Sequence, residues 1–151
     1  MSSLDAQVTV EDAIVLAVTA HRGQMDRSGV PFIFHCLRVM LAQQDEITQI
    51  AAVLHDAVEY TAVSLQQLER SGYNEEICSA VAALTRWDGE SYEAYIERVA
   101  VNPVARAVKL ADLADNMDPR RWLADSRAEE RMTRYRFACK RLAPADIDVG
   151  K

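Results

Sequence analysis

The sequence predicts an all-α domain, and three observations carry that expectation. Glycine and proline are scarce, 5 and 4 among 151 residues. Runs of alternating β-branched residues are hard to find. Apolar residues recur instead at helical spacing, and several of those stretches open on a residue that caps helices. At this length a single domain with a sizeable core is the natural reading, spanning about residues 9–143 between short loose tails.

The elements follow in order. Residues 1–8 read as a tail, and Thr9 to Asp12 can cap a first helix whose apolar positions are Ile14, Leu16, Ala17 and Val18. It leads to Ala20-His21-Arg22-Gly23-Gln24, and His21 reads as a hydrogen-bonding brace. Met25 to Pro31 carries the Ser-Gly and Pro signals of a loop. Phe32–Leu41 reads as a second helix with Ile33, Leu37, Met40 and Leu41 inward. A third helix is expected over Asp45–Thr61. Ser64 to Gln67 is a capping-box pattern opening a short helix that stops at Ser71-Gly72. Asn74 caps the next, Glu75–Arg86, with Ile77, Ala80, Val81 and Leu84 inward. Asp88-Gly89 is a turn before a helix over Ser91–Val101 carrying Tyr92, Tyr95 and Ile96. Asn102-Pro103 is a strong start, N-cap followed by proline at the first helical position, for a helix that stops near Pro119. Ser126 to Glu129 is a further capping-box pattern, opening a last helix to about Leu142 whose arginines read as a solvated face. After Pro144 a frayed tail is expected.

Composition narrows the function classes. Half the residues are hydrophobic and the net charge is −6. An acidic surface argues against general nucleic-acid binding, which leans on phosphate neutralisation by Lys and Arg. It leaves open a small phosphorylated substrate, which needs only a local basic pocket. Cys36, Cys78 and Cys139 are far apart with no CxxC, as expected of reduced core thiols in a cytoplasmic protein. No signal peptide opens the chain, and no apolar run approaches the ~20 residues of a membrane span. Apolar positions on the outer helices leave room for a homodimer.

The third helix holds the most informative stretch, Ala51 to Thr61. On a helical wheel zeroed at His55, Asp56 falls at about +100° and Glu59 at about +40°, with Ile50, Val53, Leu54, Ala57 and Val58 on the far side. One face is buried; the other presents an imidazole and two carboxylates, which suit a divalent metal and its water. The same pattern also fits a polar stripe on an ordinary amphipathic helix. His35 alone fits a core histidine as well as a ligand. On the helix after Asn102-Pro103, Lys109, Asp112 and Asn116 fall within roughly 60° of one another. If Asp112 faces His55 and Asp56, and His35 joins them, two histidines and two aspartates surround one site, a set that holds Mn²⁺, Fe²⁺ or Zn²⁺. Otherwise Asp112 and Asp115 are solvated charges paired with Lys109 or Arg106.

His35, His55-Asp56 and Asp112 together resemble the H…HD…D signature of the HD superfamily of metal-dependent phosphohydrolases. Further blocks sharpen the likeness: Ala20 to Gln24, Ser28-Gly29 with Pro31 to His35, His55 to Glu59, Leu84-Thr85-Arg86, Tyr95-Ile96 and Val108 to Asn116. In that order and spacing they resemble the hydrolase domain of RelA/SpoT-type alarmone enzymes, especially its small stand-alone forms, over roughly residues 9–123. The resemblance implies an HD-domain helical bundle holding one Mn²⁺ through His35, His55, Asp56 and Asp112. It implies removal of the 3′-pyrophosphate from guanosine tetra- or pentaphosphate, with Glu59 orienting or deprotonating the attacking water. Asn116, Lys109, Arg22 and Arg27 are then candidates for contacts to the nucleotide.

The chain departs from the family pattern twice. Where alarmone hydrolases carry a Glu-Asp pair, it has Glu59-Tyr60, and a phenol near pKa 10 is neutral at pH 7; Tyr60 can donate a hydrogen bond or stack on a base. Where they carry Arg-Lys before the Ser-Gly, it has Asp26-Arg27. Two alternatives stay open: an HD hydrolase of another nucleotide, such as a plain nucleoside phosphate or an NADPH-like 2′-phosphate, and a metal-retaining nucleotide sensor with reduced turnover.

Overall fold

Two helices, the third and the eighth in chain order, each pack against four others and form the centre of the bundle. The computed structural model describes residues 7–122 and 125–144, and the elements fall in the order α1 Val10–His21, α2 Ile33–Leu41, α3 Glu46–Val53, α4 Ala57–Tyr60, α5 Leu65–Arg70, α6 Glu75–Leu84, α7 Tyr92–Ala100, α8 Pro103–Asn116 and α9 Ala128–Leu142. A 3₁₀ turn, Pro119–Arg121, follows α8. α3 packs against α1, α2, α6 and α8, and α8 packs in turn against α2, α6, α7 and α9. Ala51, Ala52, Ala80 and Ala105 are fully buried, and such small side chains let these helix axes approach closely. Among the described residues the sole β pairing is a bridge between Met25 and Pro31 that closes the loop before α2. The fold is all-α, as expected.

Caps are local chemistry, and they form where the sequence places them. Thr9 and Asp12 make a reciprocal capping box. Asp45, Ser64, Asn74, Ser91 and Asn102 each accept a backbone N–H of the following first turn. The Ser126–Glu129 box does not form: α9 starts at Ala128 behind Arg127, which makes no side-chain cap. Asp125 takes that duty one residue earlier, accepting the Arg127 N–H at 2.9 Å and pairing with Arg131 Nε at 2.8 Å, and a carboxylate outbids a hydroxyl there.

Other boundaries also differ. The expected Asp45–Thr61 helix breaks at Leu54–Asp56, where bonds tighten to one turn, His55 N–H to Ala52 C=O and Ala57 N–H to Leu54 C=O. His55 is the cause: its Nδ1 lies 2.6 Å from the Ala52 carbonyl, the acceptor that the Asp56 N–H would need to continue the helix. The wheel over Ala51–Thr61 therefore fails in detail, and Val58 is only half-buried. α6 stops at Leu84, before Arg86, whereas α8 stops at Asn116, near Pro119 as expected. On α2 the expectation for Leu41 is wrong; it is 74% exposed, while His35, Cys36, Val39 and Met40 face α3 and α8. Contact with both neighbours turns the buried arc away from the helix's last residue. Among the described residues Arg106 pairs with no aspartate; it donates to the carbonyls of Leu142 and Ala143, closing the end of α9.

Cys36 and Cys78 are buried and all three cysteines are free thiols. Val8 packs on the core instead of fraying, whereas the expected tails over residues 1–6 and 145–151 lie outside the described residues. No helix among the described residues is long and apolar enough to cross a membrane.

Candidate metal centre and its cleft

The break after α3 turns His55 and Asp56 toward α8 and α2. Each of His35, His55, Asp56 and Asp112 offers one donor atom, and the four atoms lie within 4.8 Å of one another. His35 Nε2 is 2.9 Å from Asp112 Oδ1 and 3.7 Å from Asp56 Oδ2. His55 Nε2 is 3.1 Å from Asp56 Oδ2 and 3.3 Å from Asp112 Oδ1. Neighbouring donors on an ion bound at roughly 2.1 Å stand about 3.0–3.4 Å apart, so the set fits one divalent cation. The tautomers agree, because His55 Nδ1 faces the Ala52 carbonyl and His35 Nδ1 lies 2.6 Å from Asp115 Oδ2, leaving both Nε2 atoms to the cluster.

Charge balance points the same way. Burial by itself disfavours the imidazolium of His35 and His55, yet Asp112, Asp56 and Asp115 outweigh it and raise both pKa values. Burial likewise raises the Asp112 carboxyl, but Lys109, His35 and His55 pull it well below the usual range. The cluster calls for positive charge, which protons or a metal can supply.

Around this floor opens a cleft of about 570 Å³. Most of the expected site residues line it, with altered duties. Lys109 Nζ lies 2.8 Å from Asp112 Oδ2, above the Tyr95 ring. Asn116 donates to Asp112 Oδ1 at 3.1 Å and accepts from Arg121. Glu59 accepts the backbone N–H of Arg86 at 2.9 Å, a bond made available by the early end of α6. Tyr60 is 56% exposed at the rim beside Phe32, and partial burial, with Glu59 beside it, raises its hydroxyl further above the ordinary phenol value, which already leaves it neutral at pH 7. Arg27 lines the cleft, 3.8 Å from Asp125. Arg22 is exposed and does not line it. His21 braces as expected: Nδ1 pairs with Gln24 Oε1 at 2.8 Å, and Gln24 Nε2 donates to the Tyr60 carbonyl.

Sequence reasoning missed four cleft cations, Arg86, Arg121, Arg131 and Arg134. It also left Asp115 among the solvated charges, although its contact with His35 lies one turn along α8 from Asp112. That i, i+3 spacing was the available signal.

An all-α bundle with two histidines and two aspartates converging on one point defines an HD-type domain. No family model matches the chain. It is 34% identical over 135 residues to the GTP pyrophosphokinase of Streptomyces coelicolor, covering 81% of this chain and 16% of that protein. To the guanosine-3′,5′-bis(diphosphate) 3′-pyrophosphohydrolase of Aquifex aeolicus it is 28% identical over 120 residues, 72% of this chain and 17% of that protein. A solved structure of a metazoan SpoT ortholog, described as hydrolysing ppGpp, superposes with a TM-score of 0.77 at 22% identity, covering 93% of this chain and 89% of that one. Sequence and fold place the chain with the hydrolase domain of RelA/SpoT-type proteins. The chain spans less than a fifth of the length of these curated relatives, whose names divide between synthesis and hydrolysis.

Proposed function

We propose that the chain is a metal-dependent nucleotide phosphohydrolase that removes the 3′-pyrophosphate of guanosine tetra- or pentaphosphate. The observation that carries this reading is the convergence of His35, His55, Asp56 and Asp112 within 4.8 Å on the floor of a cation-lined cleft. These four residues would hold the ion, with Mn²⁺ our first choice for an N/O donor set. When bound, the ion supplies Lewis-acid polarisation of a phosphoryl oxygen and acidifies water. Glu59, held by the Arg86 N–H, orients that water or takes its proton. Arg27, Arg86, Arg131 and Arg134 receive phosphate oxygens, since guanidinium forks match their geometry. Asn116 faces the ribose or a phosphate beside Asp112, whereas Lys109 serves as counter-charge to Asp112. The donor set favours hydrolysis over synthesis, because an ion held there would activate water.

The test is incubation with Mn²⁺ and guanosine tetraphosphate, following pyrophosphate, beside a His55→Ala/Asp56→Ala double variant. Release by the parent that the variant abolishes is the expected result. A parent that binds one Mn²⁺ per chain but releases neither phosphate nor pyrophosphate from a broad nucleotide panel overturns hydrolysis. The sensor reading draws on Tyr60, a neutral phenol where the resemblance expects a carboxylate. It predicts a large rate gain in Tyr60→Asp from near zero, where an enzyme using Tyr60 loses rate or stays level.

A further inference from the structure

Asp115 stands outside the four-donor cluster, yet three side chains close on its carboxylate. Oδ2 lies 2.6 Å from His35 Nδ1. Arg38 grips both oxygens, Nε to Oδ1 at 2.6 Å and Nη2 to Oδ2 at 3.1 Å. Arg121 Nη1 approaches Oδ2 at 3.2 Å. Because Asp115 follows Asp112 by one turn of α8, the same rigid helix carries one donor of the cluster and the group behind another.

We infer that Asp115 is a positioning residue for the metal centre: it accepts the Nδ1 proton of His35 and so aims the Nε2 lone pair at the ion. The inference rests on the metal reading above. A carboxylate behind a ligating imidazole fixes both its tautomer and its ring orientation, and strengthens it as a donor. One contact competes, since Arg121 Nη1 also lies 3.0 Å from His35 Nδ1. A single ring nitrogen cannot donate to Asp115 and accept from Arg121 together. Donation to Asp115 wins, being the shorter contact and ending on a full negative charge. The opposite tautomer would point Nε2–H into the cluster, where it could hold only Asp112. Arg121 then acts with Arg38 to hold the carboxylate in place, and a fixed carboxylate fixes the ring.

The competing account is an ordinary ion pair, Arg38 with Asp115, that ties α2 to α8 and has no bearing on metal. Mn²⁺ affinity and the metal-free thermal midpoint of the full chain separate the two. Asp115→Asn keeps the shape and removes the charge, and should weaken Mn²⁺ binding by about 10- to 100-fold, as loss of such partners does in other metal sites. Arg38→Met removes the ion pair and leaves the His35 contact, so it should lower the midpoint while changing affinity less than about threefold, within the range of such a surface pair. Equal affinity in Asp115→Asn and the parent overturns the inference and leaves the metal centre standing. Arg38→Met reproducing the full affinity loss also overturns it. A parent that binds no Mn²⁺ overturns the centre and the inference with it. Should Asp115→Asn fail to fold, ¹⁵N spectra of the Zn²⁺-loaded parent decide: His35 protonated at Nδ1 supports the assignment, and metal at Nδ1 refutes it.

Discussion

Lys109→Met separates charge from packing at the centre of the bundle. Lys109 is nearly buried, with its ammonium 2.8 Å from Asp112 Oδ2 and 5.2 Å from the Tyr95 ring centroid. Methionine keeps most of the aliphatic stem and deletes the charge. Removing one partner of a buried ion pair costs about 3–5 kcal/mol, because the other charge is left uncompensated. Asp112 retains His35, His55 and Asn116 on its other oxygen, so the low end applies, about 3 kcal/mol in the metal-free protein. At roughly 2–4 °C per kcal/mol for a chain of this size, the thermal midpoint should fall by about 6–12 °C. With Mn²⁺ bound, the ion replaces the ammonium as counter-charge and the fall should be clearly smaller. Differential scanning calorimetry with a chelator and with saturating Mn²⁺ makes the comparison. Equal falls in both conditions would refute the reasoning, since they would mean that Lys109 acts through its contact with Tyr95. A fall below about 2 °C without metal would show that the histidines alone carry the Asp112 charge.

Two further outcomes follow from the same geometry. His35 and His55 have pKa values raised in the folded protein, so their contribution to stability is fully present below the unfolded value near 6.5 and is lost as pH climbs toward the folded values. The metal-free protein should therefore lose thermal stability from pH 6 to pH 8, while the Mn²⁺-loaded protein, whose ligands must be deprotonated, should hold or gain it; a metal-free midpoint that rises over this range contradicts the assignment. Arg98 holds Glu90 at 2.7 and 2.8 Å and donates to the carbonyls of Ala82 and Thr85, fixing the loop whose Arg86 N–H holds Glu59. Arg98→Ala should lower nucleotide turnover about tenfold or more at unchanged Mn²⁺ content, as misplacement of a general base does, and undiminished turnover would disconnect that loop from Glu59.

Much of the fold was legible because helix starts are short-range chemistry. Thr9, Ser64, Asn74 and Asn102 cap within three residues of themselves, and apolar spacing marks which helices are buried. The break at Leu54–Asp56 was hidden, because it depends on a histidine side chain competing for a backbone carbonyl inside an otherwise uninterrupted helical pattern. The donor cluster was visible as residue types on a signature, and the geometry brings those types together. Arg131 and Arg134 were not visible as cleft residues. Their alternation with Glu129 and Glu130 describes a solvated face equally well, and only the docking of α9 on α7 and α8 turns them toward the cleft. Arg22 shows the converse, a cation inside a family block that the backbone leaves in solvent.

The two departures from the family pattern weigh differently once placed. Asp26 looked like an anion set against a phosphorylated ligand. Its Oδ1 instead accepts the N–H groups of Ser28 and Val30, which builds the turn, and its Oδ2 lies 3.8 Å from Arg121 Nε. It is consumed by the loop, so its cost to anion binding is smaller than its charge suggests. Tyr60 is not tied into the loop in that way: Gln24 holds its backbone carbonyl, while its ring stands at the rim with Glu59 beside the hydroxyl. The cleft as a whole offsets the missing cation: six Lys and Arg side chains line it against five carboxylates. That wall is already slightly positive, and a divalent ion on its floor would make it more so, in a chain of net charge −6. Local field, more than total charge, draws a polyanion to a concave site. Tyr60 is therefore the departure on which the choice between turnover and sensing rests, and Asp26 is not.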